Sequence, residues 1–482
     1  MALSTFKRHI PGIIALMFCF VQIVACVAQA NYGQDFFKLS GTTSGKVELA
    51  MCIAMCMPIV FFECLNKKTN NEKNLVTRII QAVSLLCLLL SAALLILTGS
   101  RASWLASFFG CCYVGYAMLI KRKFTIKRWQ KLIMIILLCI GSISLYYIRT
   151  DSANGRILIW KITTTELIHG NITLLPRQGN FSTFIGDAQE RYFSKAERPI
   201  AEQMLAGAPN YAYNEYLQII VEWGVLVAFG VLCLITCLSI KLSRAKTENK
   251  VPFIGCFITI AIMSCFSYPF RCTTSLLVTF CIITGAIYLI ITRTSLKKGF
   301  ITISTLSIIC SIVFRFRQDF LELKALEQCR QIDLMCTYDE PTKYLHRYEH
   351  LIPVIGKNPE FLLAYAKALY DSEKYVSAII CLHKAQSVSG DPVLYLVEGK
   401  CRQKQKLYSK AEELYKKAYY RIPHKIYPLY LLMNLYMEQR NFYDANKTAL
   451  NIIRTHPKII SPEFDFIQKE ARKITRKRYS AK

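Results

Sequence analysis

Long apolar runs fill the first two thirds of the chain, whereas charged and polar positions are interleaved with apolar ones in the last third. A run of about 18 or more mostly apolar residues is long enough to cross a bilayer as a helix. Such runs occur at 11–30, 47–64, 77–98, 102–120, 132–149, 216–240, 251–268, 273–292 and 299–315. The pattern predicts an all-α protein. A polytopic membrane helix bundle of about nine spans, with one large loop at 150–215, occupies residues 1–316, and a soluble helical domain occupies residues 317–482.

The charge balance is strongly basic, with a formal net charge of +28 on a chain that is 53% hydrophobic. In a soluble protein this balance would point to nucleic acid. Here many of the basic residues stand in short segments between apolar runs, which is where membrane proteins collect Lys and Arg. We therefore expect membrane lipid around the chain and no nucleic-acid partner.

The basic residues also favour one side of the predicted bundle. They cluster near Lys7, Lys67, 121–131, Lys241 and Lys297, which all fall on one side if the spans alternate. Because cytoplasmic loops carry the excess of Lys and Arg, we expect the N-terminus in the cytoplasm. The loop 150–215 and the domain 317–482 are then expected on the opposite side. Residues 7–30 also have the form of a signal peptide, whose cleavage would leave the remaining topology unchanged.

Cysteine is frequent, with 20 residues, but its spacing carries no chemistry. Most of these residues lie inside apolar runs, where Cys behaves as a small hydrophobic side chain. Cys111 and Cys112 are adjacent rather than spaced like zinc ligands, and no pattern indicates a disulfide framework. We therefore predict neither a metal nor another cofactor.

The last third contains an internal periodicity of 33 and 34 residues, seen between Ala378, Ala411 and Ala445. Other buried-type positions recur in the same register: Ala366, Gly399 and Met433; Leu382, Tyr415 and Ala449; Ala385, Ala418 and Ile452. Small residues at such positions let two helices of a unit pack closely, and Pro423 and Pro457 end the second and third units. The pattern predicts stacked pairs of helices.

This periodicity resembles that of tetratricopeptide repeats, with units at about 359–391, 392–425 and 426–458. The resemblance implies a domain that binds a protein or peptide partner, an inference that rests on fold analogy alone. An unrelated helical bundle with the same spacing is the alternative.

Three polar motifs stand beside the apolar runs. Residues 98–106 read TGSRASWLA, in a short turn between two predicted spans. Residues 154–161 read NGRILIWK and open the large loop. Residues 213–218 read YNEYLQ, followed by VEWG at 221–224, and close the loop. All three motifs are expected on the extracytoplasmic side.

These motifs, in this order, resemble the O-antigen ligase and O-antigen polymerase family of bacterial inner-membrane glycan transferases. Family members often read TxSRxxxLA, then GRxxxW, then HNxYLQ with ExG behind it. Residues 174–184 resemble the family's glycine-rich segment, and residues 39–42 and 267–270 also look family-like, so the resemblance covers about residues 38–292. It implies a glycosyltransferase-C-like membrane fold in the bacterial inner membrane. The loop and the C-terminal domain would lie in the periplasm.

The family transfers a glycan from an undecaprenyl-diphosphate carrier to an acceptor hydroxyl on lipid A core, a growing polysaccharide or a protein. The guanidinium group of Arg forms bidentate hydrogen bonds with phosphate oxygens. The resemblance therefore implies that Arg101 and Arg156 bind the diphosphate, with Arg177 and Arg191 as further candidates, and that these cations stabilise the leaving group without a metal. A lone Arg at a span boundary, such as Arg101, also fits an anchor that reaches the membrane surface.

The acceptor hydroxyl needs a base or an orienting hydrogen-bond acceptor. The family's His position is Tyr213 here, and a tyrosine hydroxyl is a weak base at neutral pH. Glu215, Glu222 and His169 are the alternatives, and Asn214 is the candidate for orienting the acceptor. Glu215 ranks ahead of Glu222, because a carboxylate inside a membrane helix more often pairs with Arg.

Three functions stay open from the sequence. The first is a metal-independent, lipid-linked glycan transferase. The second is a non-catalytic membrane scaffold that recruits periplasmic partners through its repeat domain, which the Tyr213 departure favours. The third is a transporter or flippase, which ranks last because few charged residues lie in the middle of the apolar runs.

Overall fold

The structure is a computed structural model, and it describes residues 2–33, 35, 38–66, 75–121, 147, 150–171, 180–292, 294–455, 458 and 461–479. Within these residues the protein is all-helical, as predicted, and contains no strand. The chain forms two compact units. The first comprises Met1–Thr150, Tyr213–Ile219 and Leu226–Ser311; the second comprises Asp151–Ala212, Ile220–Val225 and Ile312–Lys482.

Apolar helices make up the first unit. They are α1 (Ala2–Asn31), α2 (Lys46–Leu65), α3 (Leu75–Thr98), α4 (Arg101–Lys121), α8 (Glu215–Ser243), α9 (Lys250–Phe266), α10 (Thr273–Ile290) and α11 (Thr294–Tyr338). Two of them, α8 and α11, also contribute residues to the second unit. Seven helices of the described residues are long and apolar enough to cross a membrane, and α9 is a shorter apolar helix. Each of these helices overlaps a predicted run, but α11 extends well beyond the run at 299–315, and the run at 251–268 is the shorter helix α9. The predicted run at 132–149 lies outside the described residues apart from Tyr147.

Helix α2 forms the centre of the first unit, because nearly every side chain from Glu48 to Glu63 is buried. Helices α4 and α9 approach each other closely at two glycines. A Cβ atom on Gly110 would lie 2.7 Å from the carbonyl oxygen of Gly255, so no larger residue fits there. Small residues at helix crossings of this kind bring backbones into contact in membrane proteins, where packing rather than hydrophobic burial drives association.

Helix α11 runs on past the predicted domain boundary at residues 316 and 317 and ends only at Tyr338. The hydropathy falls along this helix, but residues 300–338 contain neither Gly nor Pro. Because a helix satisfies its backbone hydrogen bonds internally, it continues through a change of environment without a break. The hydropathy boundary is therefore not a boundary of secondary structure.

The second unit contains α5 (Thr150–Glu166), a π-helical segment (Leu167–Asn171), α6 (Phe181–Ser194) and α7 (Ile200–Leu205). Its larger part is a series of short helices: α12 (Leu345–Ile355), α13 (Pro359–Asp371), α14 (Tyr375–Gln386), α15 (Pro392–Lys404), α16 (Tyr408–Arg421), α17 (Tyr427–Glu438), α18 (Phe442–Arg454) and α19 (Pro462–Tyr479). Each of the three segments predicted as units contains two helices, namely α13 and α14, α15 and α16, and α17 and α18.

The recurring small positions explain how these helices pair. Ala366, Ala378, Ala411 and Ala445 are all fully buried. A Cβ atom on Gly399 would lie 2.4 Å from the ring of Tyr415, so α15 and α16 pack at that glycine without room for a side chain. Asn358 and Asp391 cap α13 and α15, each followed by Pro at the first helical position, which fixes where these helices begin.

Candidate functional site

The motif at 98–106 forms the turn between α3 and α4. Gly99 has a φ of +66°, a conformation that glycine adopts without strain. Arg101 is the first residue of α4 and is partly exposed. The indole N–H of Trp104 donates to the carbonyl oxygen of Leu95, which ties the start of α4 back to the end of α3. Arg101 therefore stands on a fixed turn at the ends of two apolar helices.

The motif at 213–218 forms the start of α8. Asn214 is its N-cap, and the Asn214 amide oxygen accepts a hydrogen bond from the N–H of Leu217 at 3.1 Å. Tyr213 has a φ of +52°, which is uncommon for a non-glycine residue. Its ring forms a T-shaped contact with the Tyr268 ring, with 5.6 Å between the centroids. Asn214 thus has a structural task at the helix start, in addition to the orienting role expected from the sequence.

Glu215, the first residue of α8, is only 1% exposed. One carboxylate oxygen accepts a hydrogen bond from the main-chain N–H of Phe270 at 2.8 Å, and the other lies 3.4 Å from Nε of Arg271. The Arg271 side chain is 21% exposed. A carboxylate this enclosed, and held by a backbone donor and a cation, is suited to positioning the turn before α10 rather than to receiving a proton from an acceptor hydroxyl.

Glu48 is a second buried carboxylate at this turn, one that the sequence reasoning missed. It is 3% exposed and accepts hydrogen bonds from the N–H of Ser44 at 2.9 Å and from the N–H of Thr274 at 2.7 Å. Thr274 lies in the first turn of α10, where N–H groups lack partners within the helix and favour a negative charge. An acidic residue at the edge of an apolar run was the signal that would have found it.

The segment 39–42, which resembled the family, is held by two glutamines of α1. The Gln29 side chain accepts from the N–H of Gly41 at 3.0 Å and donates to its carbonyl oxygen at 2.9 Å. The Gln22 side chain accepts from the N–H of Thr42 at 3.0 Å and donates to the Thr42 hydroxyl at 2.6 Å. These polar positions inside an apolar helix therefore serve the loop that precedes α2.

In the second unit, Arg156 lies on α5 and is partly exposed. Four residues further on, the Trp160 indole donates to the carbonyl oxygen of Ala212 at 2.8 Å. Arg191 on α6 forms an ion pair with Glu166 at 2.8 Å, which links α6 to α5. His169 is exposed in the π-helical segment. Arg177 lies outside the described residues.

Glu222 interacts with the start of α6. Its carboxylate accepts a hydrogen bond from the N–H of Phe181 at 3.1 Å, and Asn180 caps the same helix by accepting from the N–H of Thr183. A carboxylate is favoured at a helix N-terminus because the partial positive charge of the unpaired N–H groups lies there. Two residues after Glu222, Gly224 breaks the helical geometry of α8 with a φ of +83°.

The candidate residues are thus divided between the two units. Arg101, Tyr213, Asn214 and Glu215 belong to the first unit; Arg156, Arg191 and Glu222 belong to the second. In the first unit, Tyr213 and Glu215 contact the turn 267–271, and Glu48 contacts the first turn of α10, which follows it.

No group of three or more His, Cys, Asp or Glu side chains that could hold a metal ion is found among the residues described. No protein-family model matches the chain, and no curated protein is significantly similar to it.

Proposed function

We propose that this chain is a metal-independent glycosyltransferase of the O-antigen ligase and polymerase type, which transfers a glycan from undecaprenyl diphosphate to an acceptor hydroxyl. The ordered motifs at 98–106, 154–161 and 213–224 support this proposal. One structural observation carries it. Arg101 is the first residue of α4, and residues 213–215 lead into α8 in the same unit. At the start of α8, Glu215 forms an ion pair with Arg271.

In the proposed reaction, the acceptor oxygen attacks the anomeric carbon of the donor glycan, and the bond from that carbon to the diphosphate breaks. The electron pair of that bond stays on the diphosphate, where Arg101 stabilises the charge through bidentate hydrogen bonds. The Tyr213 hydroxyl orients the acceptor, and the acceptor proton passes to water. Arg156 and Arg177 remain diphosphate candidates through the resemblance, whereas Arg191 is paired with Glu166.

The proposal includes the finer architecture. The membrane part has about nine spans of glycosyltransferase-C type in the bacterial inner membrane, with the N-terminus in the cytoplasm and residues 150–215 and 317–482 in the periplasm. The helix pairs of the second unit are tetratricopeptide-like repeats, a class supported by the buried small residues at Ala378, Ala411 and Ala445. A reporter fused after residue 330 tests this topology, since a cytoplasmic signal would overturn it.

An Arg101→Ala variant in the native host tests the reaction itself. We expect surface polysaccharide or glycoprotein to fall by at least about tenfold, because each charge-assisted contact that strengthens in the transition state contributes roughly 1.5–3 kcal/mol. Arg244→Ala is the matched control, because Arg244 is an exposed arginine at the C-terminal end of α8, whereas the candidate residues 213–215 lie at its N-terminal end. If the Arg101 variant reaches a normal level in the membrane and the glycans are unchanged, the proposed glycosyltransferase function is ruled out.

A non-catalytic scaffold is the second candidate, and a specific observation favours it. Asn214, Glu215, Glu222 and Arg191 all make contacts that stabilise the fold. A scaffold would keep its partner through the repeat domain when Arg101 is replaced. Cross-linking in the host therefore distinguishes the two candidate functions. If the chain is a scaffold, the Arg101→Ala variant and the wild-type chain will give the same cross-linked partners and the same cellular phenotype.

A further inference from the structure

The segment 180–204 lies along the turns that connect successive helix pairs of the second unit. Its first residues contact the turn between α14 and α15: the Asn180 amide donates to the carbonyl oxygen of Val388, and the N–H of Gly390 donates to the Ser182 hydroxyl at 3.1 Å. Its last residues contact later turns. The carbonyl oxygen of Gln203 lies 3.0 Å from Nδ1 of His424, and that of Met204 accepts from Lys458 at 3.0 Å.

Arg421, the last residue of α16, is the centre of this contact and is only 1% exposed. Its guanidinium donates to the carbonyl oxygen of Gly390 at 2.8 Å and to the Asp187 carboxylate, and its Nε lies 3.7 Å from the Glu190 carboxylate. It also lies over the ring of Tyr395, 4.2 Å from the centroid. A buried cation is costly unless it is paired, so Arg421 depends on two carboxylates of α6.

Two glycines permit the close approach. A Cβ atom on Gly186 of α6 would lie 2.3 Å from the Arg421 guanidinium, and a Cβ atom on Gly390 would lie 2.1 Å from the carbonyl oxygen of Ser182. Gly390 faces main-chain atoms, so no side chain fits there, whereas a side chain at Gly186 would displace the Arg421 guanidinium from its contacts with Asp187 and the Gly390 carbonyl oxygen. The glycine in the middle of α6 weakens an isolated helix relative to Ala, so its value here lies in the packing.

We propose that the helix pairs α13 to α18 position α6, and with it the candidate residues of the loop 150–215, within the same chain. Helix α6 is fixed by Arg421 on one side, it carries Arg191, which holds Glu166 of α5, and its N-terminus receives the carboxylate of Glu222. Besides any partner binding, these helix pairs thus hold α6 in place, and Arg421 is a positioning residue. The consequence for glycan transfer rests on the proposed function; the docking itself does not.

Hydrogen exchange on the purified full-length protein in detergent tests the docking directly. The variant is Gly186→Ala, and the matched control is Gly207→Ala, because a Cβ atom on Gly207 meets nothing within 4 Å. We expect amides of Phe181–Ser194 to exchange about tenfold or more faster in the first variant and at the wild-type rate in the second, with α15–α18 protected in both. Unchanged exchange in α6 of Gly186→Ala would overturn the proposal.

A double-mutant cycle tests the edge of the same contact. Lys417 of α16 lies 3.6 Å from the Glu190 carboxylate, and both side chains are about 30% exposed (30% and 28%). Glu190 also lies 3.7 Å from Nε of the buried Arg421, so Glu190→Gln alone should speed exchange of α6 more than Lys417→Ala alone. In the double variant the loss of α6 protection should be smaller than the sum of the two single losses, because the Lys417–Glu190 pair is lost only once. Strictly additive losses would contradict the contact, because general destabilisation of α16 gives no such coupling.

Glycan transfer in the host then tests the positioning role. We expect Gly186→Ala to reduce transfer by at least about tenfold at a normal membrane level, since misplacing a binding group by about 1 Å costs on the order of a hundredfold. If Gly186→Ala exposes α6 while transfer persists, and Arg101→Ala abolishes transfer, the positioning role is refuted. If Arg101→Ala also leaves glycans unchanged, the proposed function fails, and the exchange data still decide the docking.

Discussion

Glu215 and Arg271 form an ion pair across the start of α8 and the turn before α10, with 3.4 Å between Oε2 and Nε. Glu215 belongs to the motif YNEYLQ, and Arg271 directly follows the family-like residues 267–270, about 50 residues further along the sequence. The ion pair engages the buried carboxylate of Glu215, which the sequence indicated as a possible base. This contact explains why an acidic residue follows Asn214, and it makes the turn 267–271 part of the candidate site.

Replacing Glu215 by Ala is expected to destabilise the protein by about 3 kcal/mol, because it leaves Arg271 without its carboxylate and Phe270 N–H without its acceptor. The thermal midpoint in detergent measures this loss. The double variant with Arg271→Ala should lose less than the sum of the two single changes. As control, Glu248→Ala removes an exposed pair with Lys121 and should cost about 1 kcal/mol or less. Equal losses at the two sites would contradict the buried pairing.

Tyr213 has a backbone conformation that few residues tolerate, which makes two substitutions informative. His and Asn adopt positive φ more readily than β-branched residues, so Tyr213→His should fold normally, whereas Tyr213→Val should cost roughly 1–2 kcal/mol. Tyr213→His also supplies the residue found in the family, and we expect it to support glycan transfer at least as well as the wild type. Tyr213→Phe keeps the ring contact with Tyr268, so full transfer by that variant would show that the hydroxyl does not orient the acceptor.

Glu222 is expected to act as an anchor for α6 rather than as a base. Glu222→Gln keeps an oxygen that can accept from the N–H of Phe181, and the lost charge at the helix N-terminus is worth about 0.3–1 kcal/mol. We therefore expect near-normal glycan transfer from Glu222→Gln and a clear loss from Glu222→Ala. A Gln variant that is inactive but shows normal exchange in α6 would mean that the carboxylate takes part in the reaction.

The burial of His424 predicts a pH dependence of stability. Burial lowers the pKa of the His424 imidazole below its usual value, and the nearby charges of Lys458 and Lys425 lower it further, against the opposing contact with the Gln203 carbonyl oxygen. Because the folded pKa lies below the unfolded value of about 6.5, the unfolded state binds more protons between the two, so this stability is full above the unfolded pKa and is lost as the pH falls.

Thermal unfolding near pH 7.5 and near pH 5.5 checks this prediction. The wild-type chain should lose more stability on acidification than His424→Gln, whose amide keeps a donor for the Gln203 carbonyl oxygen and does not titrate. If the two proteins respond alike, His424 does not contribute to the pH dependence.

Several properties were predictable because their physical causes are local. The length of an apolar run decides whether a helix can cross a bilayer, so α1 to α4 coincide with the predicted runs. The recurrence of Ala378, Ala411 and Ala445 reflects helix contacts within one unit, and all three are buried. The predicted run at 216–240 lies within α8.

The role of each charged residue depended instead on contacts between distant parts of the chain. Asp187 and Arg421, or Glu48 and Thr274, are far apart in sequence, and no pattern around either residue indicates its partner. The apolar run at 216–240 placed Glu215 at the edge of a predicted span and Glu222 inside it, but whether each carboxylate is exposed or bound to a backbone N–H is decided when other elements pack against it. Thus the sequence by itself determined the helices, their apolar lengths and the candidate chemistry. Only the tertiary structure decided which charges are paired, because pairing is a property of surfaces that meet after the helices have formed.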